Sequence, residues 1–142
     1  MTKMLITYEG DLSTKSVHES GEILYTDAPK DNMGKGEKFS PTDLLAISLG
    51  SCILTIMGMF ARKYKVDIGG SFVRVDTEMS KDLPRRISKV VVEFHSRNSF
   101  DESITKALEK AAHDCPVHKS LHPDMEQVIT FHWGSDVVPK AT

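Results

Sequence analysis

A surplus of either charge is what this chain most plainly lacks: 18 lysines and arginines face 20 aspartates and glutamates, interspersed, for a formal net charge of −2. A protein that grips nucleic acid or an anionic membrane surface needs a concentrated basic patch, so neither partner is expected. No secretory leader is expected either, because MTKMLITYEGD turns polar too early for an apolar core and offers no small-residue cleavage site. The expected compartment is the cytoplasm, where thiols rest reduced. Repeats and low-complexity segments are absent, and 142 residues amount to about one domain with a core of its own, so a single domain over 1–142 is expected. GKGEKFSPTD holds one Gly-x-Gly but not the third glycine of a phosphate-cradling loop, and no cofactor is expected.

Uncharged sequence, by contrast, is plentiful in one place. Leu44 to Ala61 carries no charge, a length that reaches the lower limit of about 18 residues for a membrane span. Ser48, Gly50, Ser51, Thr55 and Gly58 dilute it, and its start is that of a soluble helix: Ser40 as cap, Pro41 in the first helical position, Asp43 in the first turn. The reading adopted is a helix from Pro41 to about Tyr64, apolar on all faces and so buried on all faces. A helix this long cannot be wrapped by one thin sheet. Its uncovered face calls for a second copy of the chain.

Around it, Lys3 to Glu9 and Glu22 to Thr26 are predicted strands separated by a polar turn region. DAPKDNMGKGEKFSP is a long connection and a candidate functional loop. SFVRVDTEMS and Ile87 to His95 alternate as the strands of a hairpin about Asp82-Leu83-Pro84, with Val90, Val92 and Phe94 on one face. Ser99 and Glu102 stand in capping-box spacing before a helix whose stripe is Ile104, Ala107, Leu108, Ala111, Ala112 and Cys115. Pro116 restarts a short helical turn, and EQVITFHW closes as a strand. Strands, a long helix, a hairpin, a helix and a final strand make an α+β protein.

The chain has only two cysteines, Cys52 and Cys115, each in an apolar helical stretch. Neither belongs to a Cys-x-x-Cys motif. Free cysteine is commonly a small buried hydrophobe, which is the plain account of either one. Context adds a second account, redox chemistry. Gly50-Ser51 leaves room at Cys52 for a close approach or for helix packing, and Cys115 stands before Pro116 at the start of a helical turn, where free N–H groups favour a thiolate. Metal binding competes, since His113, Cys115, His118 and His122 are ligand types at helical spacing. Four ligands in familiar paired spacing are lacking, so no metal is expected and surface or capping roles are favoured for these histidines.

FSPTDLLAISLGSC, then AAHDCPVHKSLHP about sixty residues on, then the VITFHW strand, together resemble the OsmC/Ohr family of osmotically induced and organic-hydroperoxide-resistance proteins. The resemblance covers essentially the whole chain. It implies an OsmC-like fold, with antiparallel sheets packed around a long buried central helix in an intertwined homodimer whose two active sites lie at the subunit interface. It further implies thiol-dependent reduction of a small organic hydroperoxide: Cys52 as the peroxidatic residue, Cys115 as the resolving one, and an unidentified thiol reductant to recycle them.

The sequence departs from the family pattern at the thiolate's partner. The better-understood branches place a glutamate after the helix-opening proline, paired with an arginine from the N-terminal hairpin. This chain has Thr42 there and no arginine in GDLSTKSVHESG. A thiol of pKa about 8.5 is only a few per cent ionised at pH 7, so a cation is needed near Cys52. Lys15, His18, Arg85 and Arg86 are the candidates, each with an ordinary surface charge as its plainer reading. The alternative to an enzyme is a module of the same fold that binds a small apolar ligand at the dimer interface, with Cys115 retained for packing.

Overall fold

The structure, a computed structural model, describes residues 1–140. Its chain contacts form two compact units, one from Met1 to Leu45 and one from Ala46 onward.

The first unit is a three-stranded antiparallel sheet in the order β1 (Met4–Gly10), β2 (Ser13–His18), β3 (Ile23–Asp27). β2 corrects the expectation of a polar turn region. STKSVH has too few apolar residues to alternate visibly, yet it pairs along its whole length with both neighbours. The reversal that makes this possible is a tight turn at Gly10, Asp11 and Leu12, all with positive φ (93°, 51° and 62°). A hairpin turn of that hand matches the right-handed twist of the strands it joins. After β3 the chain folds back so that Asp27 N–H donates to the Phe39 carbonyl at 3.0 Å. Gly34 is obligatory in that loop, since a Cβ there would lie 1.7 Å from the Ala28 carbonyl oxygen.

The loop ends in the start of α1 (Pro41–Lys63). Asp43 N–H donates to Ser40 Oγ at 3.1 Å, and Ser40 N–H donates to Asp43 Oδ2 at 2.8 Å. This reciprocal pair is a capping box with aspartate in the acidic place. Only one stripe of α1 is buried, formed by Ala46, Leu49, Gly50, Ile53, Met57 and Ala61, while Ile47, Met59 and Phe60 are exposed. Burial on all faces is therefore not met within a single chain. Among the described residues α1 is the one helix long and apolar enough to cross a membrane by length and composition, but its cap and its buried stripe are those of a helix lying on a protein core.

The second unit contains a sheet in the order β4 (Phe72–Met79), β5 (Ile87–Ser96), β6 (Glu126–Trp133). β4 and β5 form the expected antiparallel hairpin, but β5 and β6 run parallel, which corrects the expectation of purely antiparallel sheets. The physical reason is the connection: α2 (Glu102–His113) and α3 (Pro116–Ser120) intervene, and a helical crossover returns the chain to the same end of the sheet, as parallel pairing requires. The core lies between this sheet and the helices. Val90, Val92 and Phe94 are fully buried on one face of β5, together with Leu49, Ile53, Met57, Leu108 and Ala112. Gly50 is where β4 meets α1, since a Cβ there would lie 2.9 Å from Val73 Cγ2 and 3.0 Å from Val75 Cγ2. The expected stripe on α2 is the buried one. Its cap differs, because Asp101 rather than Ser99 precedes the first turn and offers its carbonyl to Ile104 and Thr105.

Candidate functional site: two neighbouring thiols

Cys52 lies one position before Ile53 of the buried stripe, so helical geometry sets it at the edge of that stripe. It is half-buried, and it is a free thiol. Cys115 is also free and is fully buried. Its position follows from the local sequence. α2 ends at His113, the N–H groups of Asp114 and Cys115 close the helix by donating to the carbonyls of Ala111 and Ala112 respectively, and Pro116 then opens α3 as a residue without an N–H. Cys115 thereby becomes the cap of α3: its carbonyl accepts from Lys119 N–H at 3.1 Å and its Sγ accepts from His118 N–H at 3.2 Å.

The Cys52 thiol is a neighbour of Cys115, close enough to influence its ionisation. Burial is the largest influence on Cys115 and raises its pKa above the ordinary thiol value. The His118 N–H pulls the other way, the Cys52 thiol raises it further, and the Val117 N–H lowers it. The net direction is up. The two cysteines, far apart in sequence and outside any Cys-x-x-Cys motif, are thus brought to one place, with one partly accessible and the other enclosed.

Lys15 and His18 belong to β2 of the first unit, whereas both cysteines belong to the second. His18 is committed to its own turn, its Nδ1 standing 2.7 Å from Ser20 Oγ and accepting from Ser20 N–H at 3.0 Å. Arg86 is committed too: its guanidinium grips Asp82 at 3.2 and 3.3 Å and donates to the Pro84 carbonyl at 3.0 Å, holding Asp82 below the usual carboxylate range. Arg85 is exposed in the same turn. Thr42, in the family glutamate's place, shares a hydrogen bond with Ser40 Oγ at 3.0 Å.

The histidine cluster does not converge. His113 and His118 meet edge to face with ring centres 5.7 Å apart, while His122 Nδ1 accepts from Asp124 N–H at 3.1 Å. Among the described residues no three His, Cys, Asp or Glu side chains are placed to hold a metal ion. The His118 amide on the sulfur is one of the free N–H groups expected at this helix start; what the sequence reading passed over is Gln127 behind it, whose Nε2 donates to the His118 carbonyl at 3.2 Å. Cys-Pro at a helix start was the visible signal for the first. Nothing in the sequence marks the second. A cleft of about 490 Å³ lined by Leu54, Gly58, Ala61, Arg62 and Ser71 lies elsewhere; Leu54 and Ala61 are roughly 200° and 180° round the helix from Cys52.

The family model for OsmC-like proteins matches residues 34–128, a span that includes both cysteines. A candidate osmotic stress induced and detoxification response protein from Psychrobacter arcticus 273-4 is 47% identical, with 93% of this chain and 96% of that one covered and a TM-score of 0.88. An organic hydroperoxide resistance protein, OsmC, from Legionella pneumophila shares the fold at 15% identity, with 93% and 96% of the two chains covered and a TM-score of 0.75. A candidate organic hydroperoxide resistance protein from Vibrio cholerae, solved with captopril in one of its active sites, does so at 18% identity, with 92% and 90% covered and a TM-score of 0.74. No curated protein matches the chain significantly.

Proposed function

The chain belongs to the OsmC-like family, and from that premise we propose that it is a thiol peroxidase that reduces small organic hydroperoxides, working as a homodimer in the cytoplasm. The observation that carries this reading is the juxtaposition of two free thiols of unequal access, Cys52 half-buried and Cys115 enclosed, close enough for one to influence the other's ionisation.

That inequality supports the order of events that the family resemblance implies. The Cys52 thiolate, the one a substrate can reach, attacks the terminal oxygen of ROOH; the O–O bond breaks, the alcohol ROH leaves with a proton, and Cys52 becomes a sulfenic acid. Cys115 then attacks the sulfenic sulfur, water departs, and a Cys52–Cys115 disulfide forms. Two equivalents of an external thiol reduce it and return both cysteines. The elevated pKa of Cys115 keeps it a thiol at rest, so it waits for the sulfenic acid rather than competing for peroxide. The His118 N–H on its sulfur stabilises the thiolate at the moment it attacks. Apolar α1 side chains around Cys52 favour an alkyl peroxide over hydrogen peroxide.

Stopped-flow consumption of cumene hydroperoxide by the reduced protein tests this. Cys52→Ser should abolish it, and Cys115→Ser should allow one equivalent to be consumed and then stop. A wild type that reacts no faster than a free thiol of ordinary pKa, with Cys52 alkylated only above about pH 8, would replace the enzyme by an apolar-ligand-binding module of the same fold.

A further inference from the structure

The outer face of the second sheet carries a buried histidine that the thiol chemistry does not use. His95 of β5 is 5% exposed, and its ring is stacked between Phe72 of β4, at 5.1 Å, and His132 of β6, at 4.6 Å, each within 15° of parallel. These are the directly paired residues of three adjacent strands. The segment after β6 lies against the same face. Ser135 N–H donates to the Ser96 carbonyl at 2.8 Å, Ser135 Oγ stands 3.0 Å from His95 Nδ1, and the Arg74 guanidinium donates to the carbonyls of Val138, at 3.1 Å, and Lys140, at 3.4 Å. Val137 N–H donates to Ser135 Oγ at 3.3 Å. In the neutral ring with its hydrogen on Nε2, Nδ1 accepts from the serine hydroxyl while that hydroxyl accepts from Val137 N–H. Nε2 is buried without a hydrogen bond, 3.8 Å from Glu93 Oε2.

We propose that residues 135–140 form a strap latched by neutral His95 and released when His95 takes up a proton. Protonation makes both ring nitrogens donors, so the Ser135 hydroxyl must turn to accept, and it puts a positive charge between two rings, beside Arg74 of β4 and His132 of β6. Glu93 of β5 offsets it only in part, and the strap brings one charge of each sign, Asp136 and Lys140. Burial, then His132 and then Arg74 hold the His95 pKa below its ordinary 6.5, against the upward pull of Glu93. A depressed histidine pKa stabilises the closed form above the free value, and that stability is lost as pH falls through the closed-form value. Opening the strap hydrates the imidazolium.

The test is amide hydrogen exchange by NMR from pH 8 to 5, corrected for intrinsic rates, with the His95 ring titrated in the same samples. Protection of the Val137 amide should fall about tenfold per pH unit below about 6.5 until His95 titrates in the closed form, while the core amide of Val92 holds. In His95→Gln the pH dependence should vanish. Should that variant not fold, the wild type alone decides, by whether the Val137 loss ends where the His95 ring titrates. Protection that is flat with pH, that falls equally in His95→Gln, or that falls only in step with Val92 would overturn the proposal.

Discussion

The two compact units of the chain distribute apolar surface in opposite ways. Up to Leu45, the side chains of Met4, Leu5, Ile6 and Tyr8 in β1 are each more than half exposed, on both faces of the strand, and Ile23, Leu24, Tyr25 and Phe39 are exposed as well; the residues buried there are Thr26, Asp27 and Ser40. From Ala46 onward the order is the usual one, with Leu49, Ile53, Met57, Val90, Val92, Phe94 and Leu108 fully enclosed. A run of exposed apolar side chains on an edge strand marks a surface that is covered in the working molecule. In the proposed homodimer the partner supplies that cover. The second unit holds both cysteines in its own packing, so the thiol pair does not wait on the partner for its geometry.

Breaking the first side of the comparison should have the largest effect. Burying a Leu or Ile contributes about 1.5–3 kcal/mol, so Leu5→Glu with Ile6→Glu should weaken self-association at least about a hundredfold. Sedimentation at low micromolar concentration should show only dimer for the wild type and monomer for the double variant. A stable, folded wild-type monomer would remove the dimer from the account. A smaller contrast sharpens the second side. Phe94→Ala empties a site where the ring meets Phe131 at 5.9 Å and Trp133 at 4.9 Å, and should cost about 3–5 kcal/mol in urea unfolding. Ser40→Ala removes only the reciprocal cap of α1 and should cost about 1 kcal/mol.

The same contrast explains what could be read from the sequence. The second unit was largely legible because periodicity reports burial: Val90, Val92 and Phe94, and Leu108, Ala111, Ala112 and Cys115 of the expected α2 stripe, are apolar at the spacing of their elements and are enclosed, while Ile104 and Ala107 of that stripe are half-buried. Cap chemistry was legible at Ser40 and Asp43, where the residues bond each other, but not at Ser99, where the cap falls to Asp101. Periodicity carries no strand direction, so the parallel β5–β6 pair was missed although the helical connection from 97 to 125 implied a crossover. β2 was missed because STKSVH is polar, and its evidence lay in the Gly10-Asp11 turn instead. The apolar run of α1 overstated burial, since composition says that a helix is apolar but not which faces a single chain covers. Of the candidate site, the two cysteines were visible as residue types. Their meeting was legible only through the family resemblance, because it depends on a fold that neither segment encodes alone.

The central claim is that Cys52 and Cys115 are a redox pair, and the most direct measurement is peptide mapping of the protein under non-reducing conditions after one equivalent of alkyl hydroperoxide. The account predicts a single disulfide between the Cys52 and Cys115 peptides of one chain, reversed by dithiol, with no free thiol remaining. A stable sulfenic or sulfinic acid on Cys52 with Cys115 still free, or both thiols untouched, would contradict it.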